Sequence, residues 1–393
     1  MKRIIKLSLL PKVIIAIILG SLFSLFLPDF VVRIFVTING IFSNFLSFII
    51  PLLILGLVAP GIADMGKGAG RMLLFTALIA YGSTIAAGFF SFFTTQFSLP
   101  LLLDVESLDI SSQLNGQSIL STFFEIDMPP LMSVTTSLIL AMVLGLGVSI
   151  IQGESFKALF NEFRSVIILI INSVIIPFLP IYIFGIFLKI GADGEVITIF
   201  SLFFKVIVII FIMHILLLMT QFLIAGYVAK VNPFKSFKNM LPAYMTALGT
   251  QSSAATIPVT LKQVKINGVK DMVADFVVPL CATIHLSGSI LKIVACAYAI
   301  MFIFGMDCSL SIFLGFILML GITMVAAPGV PGGAIMAAVA LLQSMLGFDS
   351  NQVGMMIALY ITMDSFGTAC NVTGDGAIAL IMNKIYTNKD ESI

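Results

Sequence analysis

Residues 250–260 read Thr250-Gln251-Ser252-Ser253-Ala254-Ala255-Thr256-Ile257-Pro258-Val259-Thr260, a small polar run between two apolar arms. Lys262, Lys265 and Lys270 follow it. A straight membrane crossing would carry these lysines away from the chain's other basic residues, against the bias that orients membrane helices. A re-entrant hairpin that enters and leaves on one side avoids this. The pattern returns at Ala326 to Gly333, Ala-Ala-Pro-Gly-Val-Pro-Gly-Gly, again between apolar arms. Each hairpin is followed by an apolar stretch with a polar interior, 271–304 and then 350–386. The last third therefore reads as one hairpin-plus-helix unit used twice with opposite orientation. Non-helical backbone at membrane depth is tolerated only where protein buries it or where it lines a cavity.

Outward from that stretch the composition agrees. Of 393 residues, 60% are hydrophobic and 10% charged, with mean hydropathy +1.16. A soluble chain carries about 25% charged residues. No core at this length hides so much apolar surface, so lipid is the solvent for much of it. Six stretches before residue 240 approach the roughly 20 apolar residues that a span needs: 10–36, 39–60, 72–97, 119–151, 163–190 and 198–229. With the N-terminus inside, the inner basic residues run from Lys2, Arg3, Lys6 and Lys12 through Lys67, Arg71, Lys157 and Arg164 to Lys230, Lys235 and Lys238. The outer connections hold only Arg33 and Lys189, with Asp104, Glu106 and Asp109. That asymmetry places both termini in the cytoplasm. The run Val13 to Leu27 is long and no small-residue cleavage site follows it, so it reads as a retained first span. The expected fold is an all-α, multi-pass protein of the cell (inner or plasma) membrane, with eight transmembrane helices plus two re-entrant helical hairpins. A net charge of +1 and the lack of Trp leave no basic, aromatic surface for nucleic acid. Cys281, Cys296, Cys308 and Cys370 show no metal spacing, and neither a disulfide nor zinc is predicted.

The last stretch carries the chemistry. Asp364, Thr368, Asn371 and Asp375 fall at i, i+4, i+7 and i+11, on one helical face. Two carboxylates in one membrane helix face a cavity and have partners. A carboxylate with adjacent carbonyls suits a hard cation or an ammonium group. Asp364 and Asp375 lie about 16 Å apart along the helix at 1.5 Å per residue, so two ligands are implied: a cation at Asp375 with Asn371, and an amino group at Asp364. In the preceding span, Ala282 to Ser289 reads as an unwound stretch with free carbonyls. His285 within it has two readings, a proton carrier or a histidine satisfied by a neighbouring carbonyl. His214 reads as structural. Lys292, deep in an apolar run, needs an anionic partner, either Asp364 or a substrate carboxylate. Ser252 and Ser253 open a helix arm whose free N–H groups attract an anion such as an α-carboxylate. Inverted repeats with broken helices mark secondary transporters. An anion channel is the competing class. There is no HExxH motif, and Asp364 and Asp375 are too far apart to share a proton, so an enzyme is not expected.

On these residues the chain resembles the dicarboxylate/amino acid:cation symporters, a family that includes the glutamate transporters and their archaeal aspartate homologues. Ser252-Ser253-Ala254-Ala255-Thr256-Ile257-Pro258 is similar to the serine-rich tip of the family's first hairpin, and Gly329-Val330-Pro331-Gly332 to its second. Asp364 with Thr368, then Asn371-Val372-Thr373-Gly374-Asp375, resembles the eighth-helix signature. The resemblance implies a homotrimer working as an elevator. Scaffold helices would lie in 1–60 and 98–190, with the mobile transport domain in 61–97 and 191–393. It implies a substrate pocket of Ser252, Ser253, Gly329, Val330, Asp364, Gly367, Thr368 and Asn371. One sodium would lie at Asp375, the Asn371 carbonyl and the carbonyls of Cys281 and His285, and a second at Thr283, Leu286 and Ala327. No cofactor is implied beyond the coupling ion, Na+ or H+.

The departures are as informative. Members that carry acidic amino acids place an arginine where this chain has Gly367, and some place one where it has Gln251. A neutral substrate follows, while Asp364 keeps it an amino acid. The seventh-helix signature Asn-Met-Asp-Gly-Thr is replaced by His285-Leu286-Ser287-Gly288-Ser289, so one sodium site loses its carboxylate. In the third span Tyr81 and Thr84 match that site's other ligands, but Ile85 stands where a hydroxyl is expected. The expectation is symport of a small neutral amino acid with fewer sodium ions than the glutamate transporters use. Proton-coupled or sodium-independent transport is the alternative, with His285 and Lys292 the coupling candidates.

Overall fold

The structure is a computed structural model that describes residues 9–64, 70–102, 120–151, 153–194, 196–325, 327 and 331–390. Lys2, Arg3, Lys6, Lys67, Asp104, Glu106, Asp109, Ala326, Pro328, Gly329 and Val330 lie outside the described residues. The described elements are helices: α1 (Leu9–Phe23), α2 (Asp29–Asp64), α3 (Gly70–Leu102), α4 (Val134–Ile151), α5 (Glu154–Ile170), α6 (Ile176–Ala192) and α7 (Val196–Ala229). There follow α8 (Pro233–Thr250), α9 (Ser253–Ile266), α10 (Asp271–Ile284), α11 (Ser287–Ile303), α12 (Leu310–Val325), α13 (Gly333–Leu346), α14 (Ser350–Thr362) and α15 (Asp364–Asp390). Between α5 and α6 one π-turn, Ile171–Ile175, keeps the helix continuous.

Several expected boundaries move, for local reasons. The stretch 10–36 breaks before Pro28, which has no amide proton and pushes Leu27 out of the helical region. The second span therefore begins at Asp29, not 39, and its carboxylate lies in the first turn, where the helix dipole favours it. The stretch 119–151 is helical only from Val134, beyond Pro129 and Pro130. The fifth span is longer than 163–190: Glu154–Ala192 is a 39-residue apolar helix. Among the described residues, five helices are long and apolar enough to cross a membrane, and α14 with α15 makes a sixth, bent by 60°. The α1 helix, 15 residues or about 22 Å, is shorter than a 30 Å hydrocarbon core.

The two expected hairpins are helix–turn–helix units. The first is α8 against α9. Asn232 caps α8 by accepting from the Lys235 amide at 3.0 Å, with Pro233 at the first helical position, where a missing N–H does no harm. At the tip Gln251 turns the chain with φ 53°. Ser252 then caps α9, accepting from the Ala255 amide at 3.3 Å. The open end is tied by Asn267, which accepts from Asn239 at 2.8 Å and donates to the Ser236 carbonyl at 3.0 Å. The second is α12 against α13, entered through Gly332 at φ 75°, a conformation that a Cβ disfavours.

Both following spans are broken. The chain is extended at His285 between α10 and α11, as the unwound stretch requires. The last span, expected as one helix over 350–386, instead breaks at Met363. A large apolar core joins α1–α7 and α11–α14. A second joins α3, α7–α10 and α15. Where α14 meets α6, Tyr182 donates to the Ser350 carbonyl at 2.8 Å, and Ser43 lies 2.6 Å from the Ser350 hydroxyl. Gly354 has no side chain there, and the Ile186 side chain fills the space.

Candidate functional site

The α15 helix lies against α7, α8, α10 and α11, and its polar face points into that packing. Asp364, Thr368, Asn371 and Asp375 are all buried, so the spacing read from sequence holds. Each polar side chain whose bonds are resolved is held by the chain's own groups.

At one end, Asp375 is 1% exposed, and its Oδ1 lies 2.9 Å from His285 Nδ1. The other ring nitrogen lies 3.1 Å from the Ser83 hydroxyl. Gln221 donates to Ser83 and to Ser287, each at 3.1 Å. Helices α3, α7, α10, α11 and α15 thus converge on one imidazole–carboxylate pair. Gly374 permits this closeness: a Cβ there would lie 2.6 Å from Gln221 Oε1 and 2.8 Å from His285 Cε1. His285 is therefore satisfied by a carboxylate and a hydroxyl, and not by the neighbouring carbonyl that was one expectation. The Cys281 carbonyl accepts the His285 amide at 2.9 Å and closes α10.

In the middle, Asn371 caps α11 from across the packing. Its Oδ1 accepts from the amides of Gly288 at 2.8 Å and Ser289 at 3.2 Å. Its Nδ2 donates to Ser289 Oγ at 3.0 Å. First-turn amides have no partner within their own helix, so this side chain replaces the cap that the broken span lacks.

At the other end, Asp364 is 6% exposed and Lys292 fully buried. Lys292 Nζ lies 3.3 Å from Asp364 Oδ1, 3.3 Å from the Met363 carbonyl, and 3.6 Å from the centre of the Tyr360 ring, a cation–π distance. Asp364 Oδ2 accepts from the Gly332 amide at 2.8 Å, which ties the second hairpin to α15. The first hairpin is tied one residue on, where Gln251 donates to Ser365 Oγ at 2.7 Å. Breaking that bond with Gln251→Ala is expected to loosen the tip, read as faster hydrogen exchange of the amides that follow it in α9.

The other expected residues divide. Ser252 and Ser253 stand half-buried at the first tip. Thr283 is exposed, and its hydroxyl donates back to the Leu280 carbonyl at 2.8 Å. Leu286 is half-buried and Ala327 buried. Tyr81 donates to the Leu318 carbonyl at 3.4 Å and Thr84 back to Ala80 at 2.8 Å, so the third-helix hydroxyl on the site is Ser83. His214 lies 3.1 Å from the Gly288 carbonyl. Sequence reasoning missed Ser83, Gln221 and Tyr360; it placed Gly332 at the second hairpin tip but not its bond to Asp364. Gln221, the lone amide in the apolar α7, was a signal that could have been used; Tyr360 carried none.

A family model described as the sodium:dicarboxylate symporter family matches residues 9–385. The serine/threonine transporter SstT of Acinetobacter baumannii is 28% identical over 387 residues, covering 94% of this chain and 95% of the relative. That of Acinetobacter baylyi is 26% identical over 387 residues, covering 95% and 96%.

Proposed function

The chain belongs to the sodium:dicarboxylate symporter family, and from that premise we propose that this multi-pass membrane transporter carries a small neutral amino acid by secondary active transport. Serine and threonine, the substrates in the names of its relatives, are the first candidates. One observation carries the reading. Asp364 offers a buried carboxylate for an amino group, while position 367 is a glycine, so no arginine there holds a side-chain carboxylate. Ser252, Ser253, Gly329, Val330, Gly367, Thr368 and Asn371 complete the pocket.

Residues 61–97 and 191–393 form the moving domain of an elevator, and 1–60 and 98–190 a trimeric scaffold, in the cell membrane with cytoplasmic termini. Coupling uses sodium at Asp375, with fewer ions than in the glutamate transporters. The second reading, proton-coupled or sodium-independent transport, is favoured by one distance: His285 Nδ1 lies 2.9 Å from Asp375, where a metal cation would compete with it.

The test is uptake of a labelled amino-acid panel into proteoliposomes under a sodium gradient, a proton gradient, or neither. Saturable, concentrative uptake of serine or threonine under sodium is the expected result. Uptake that ignores sodium leaves the substrate assignment standing and selects the second reading. A conductance without saturable uptake points to a channel and sinks both.

A further inference from the structure

Lys292 brings an ammonium group of the chain itself onto the carboxylate that, in the reading above, receives the ammonium group of the substrate. We propose that Lys292 is a tethered, exchangeable occupant of Asp364: the substrate ammonium displaces it on binding, and it returns on release, so that the carrier crosses the membrane with Asp364 neutralised in both directions. This rests on the assignment of an amino-acid substrate.

Geometry supports the exchange. Gly332 takes one Asp364 oxygen at 2.8 Å, and Lys292 takes the other at 3.3 Å. Each carboxylate oxygen already has a donor, so a second ammonium must share Asp364 with Lys292 or take its place. Charge-assisted bonds between ammonium and carboxylate run to about 2.7–2.9 Å, so the 3.3 Å contact is a loose one that a better-placed cation can take over. A displaced Lys292 has other acceptors in reach, the Met363 carbonyl at 3.3 Å and the Tyr360 ring at 3.6 Å. Gly367 keeps the place free, because a Cβ there would lie 2.5 Å from Nζ.

Energetics give the exchange a purpose. A lone carboxylate within a membrane helix is costly, and a buried charge that loses its partner costs more than the pair was worth. A site that released its substrate and kept a bare Asp364 would return slowly. A lysine on the neighbouring helix removes that barrier without a second transported ion.

The test compares two modes in proteoliposomes, using the amino acid that the wild type carries. Net uptake starts from vesicles without internal substrate and needs the return of the unloaded carrier. Exchange starts from preloaded vesicles and does not. In Lys292→Met, net uptake is expected to fall at least tenfold more than exchange, and the KM for exchange to fall several-fold because a competitor is gone. Lys292→Gln, which can still donate to Met363, is expected to do the same if the methionine variant folds poorly. Parallel losses with unchanged KM would overturn the proposal, as would unimpaired net uptake. A wild type that exchanges but shows no net uptake overturns it without any variant. A wild type that carries no amino acid in either mode instead removes the functional reading beneath it.

Discussion

Asp364→Asn is expected to bring amino-acid uptake down to the background of protein-free vesicles and to remove about 3–5 kcal/mol of stability, the usual result of stripping one partner from a buried ion pair. The amide keeps an acceptor for the Gly332 N–H, which now bonds Oδ2 at 2.8 Å, so the second hairpin stays tied. What is lost is the charge. Lys292, fully buried, is left with the Met363 carbonyl and the Tyr360 ring as partners. Thermal unfolding in detergent reads the stability, and uptake reads the function. The double variant Asp364→Asn with Lys292→Met separates the two: stability is expected to recover in large part, because no uncompensated charge remains, while uptake stays at background. Uptake above a tenth of wild type in Asp364→Asn would remove this carboxylate from the substrate site.

Gly288→Ala is expected to be the most damaging single methyl group that can be added at the centre of the site. Its Cβ would lie 2.6 Å from Cys370 Cβ and 2.7 Å from the Gly367 carbonyl oxygen. Neither can swing aside, since one is fixed to the α15 backbone and the other belongs to it. Overpacking of this kind costs about 1–3 kcal/mol. Here it also pries α11 from α15 where Asn371 caps the Gly288 and Ser289 amides and where Lys292 meets Asp364 one turn on. A lower unfolding temperature together with loss of uptake is the expected outcome. Gly147→Ala is the control: no atom lies within 4 Å of its added Cβ, and in a helix the exchange favours alanine by up to about 1 kcal/mol. Equal behaviour of the two variants would mean that α11 and α15 do not meet as closely as described.

The polar punctuation of the last third was legible because membrane chains write such features conspicuously. A Ser-Ser tip, a Pro-Gly tip and four polar residues at helical spacing stand out against an apolar background, and the hairpins, the broken seventh span and the buried α15 face followed from them. The early apolar stretches were legible in order but not in extent, and among the described residues four of the six contain helices long enough to cross a membrane. Hydropathy averages over Pro28 and over Pro129–Pro130, whereas a helix stops at the missing amide proton. Residues that complete the site from other helices could not be read. Ser83 and Tyr81 are two positions apart on α3, and only packing decides which hydroxyl reaches His285. Likewise the sequence supplied Lys292 and Asp364 as candidates, and the crossing of α11 and α15 decides that they meet.

The π-turn at Ile171–Ile175 bears on how related chains are to be aligned. Such a turn holds one residue more than the α-helical turn it replaces, and each residue advances a helix by about 100°. Removing one residue there would let the turn close as ordinary α-helix, and the residues beyond would keep their faces, with Tyr182 still toward Ser350 and Ile186 still toward Gly354. The same deletion elsewhere in the span would turn everything beyond it by that angle. A one-residue gap at this turn therefore records a change of winding, with the faces on either side kept.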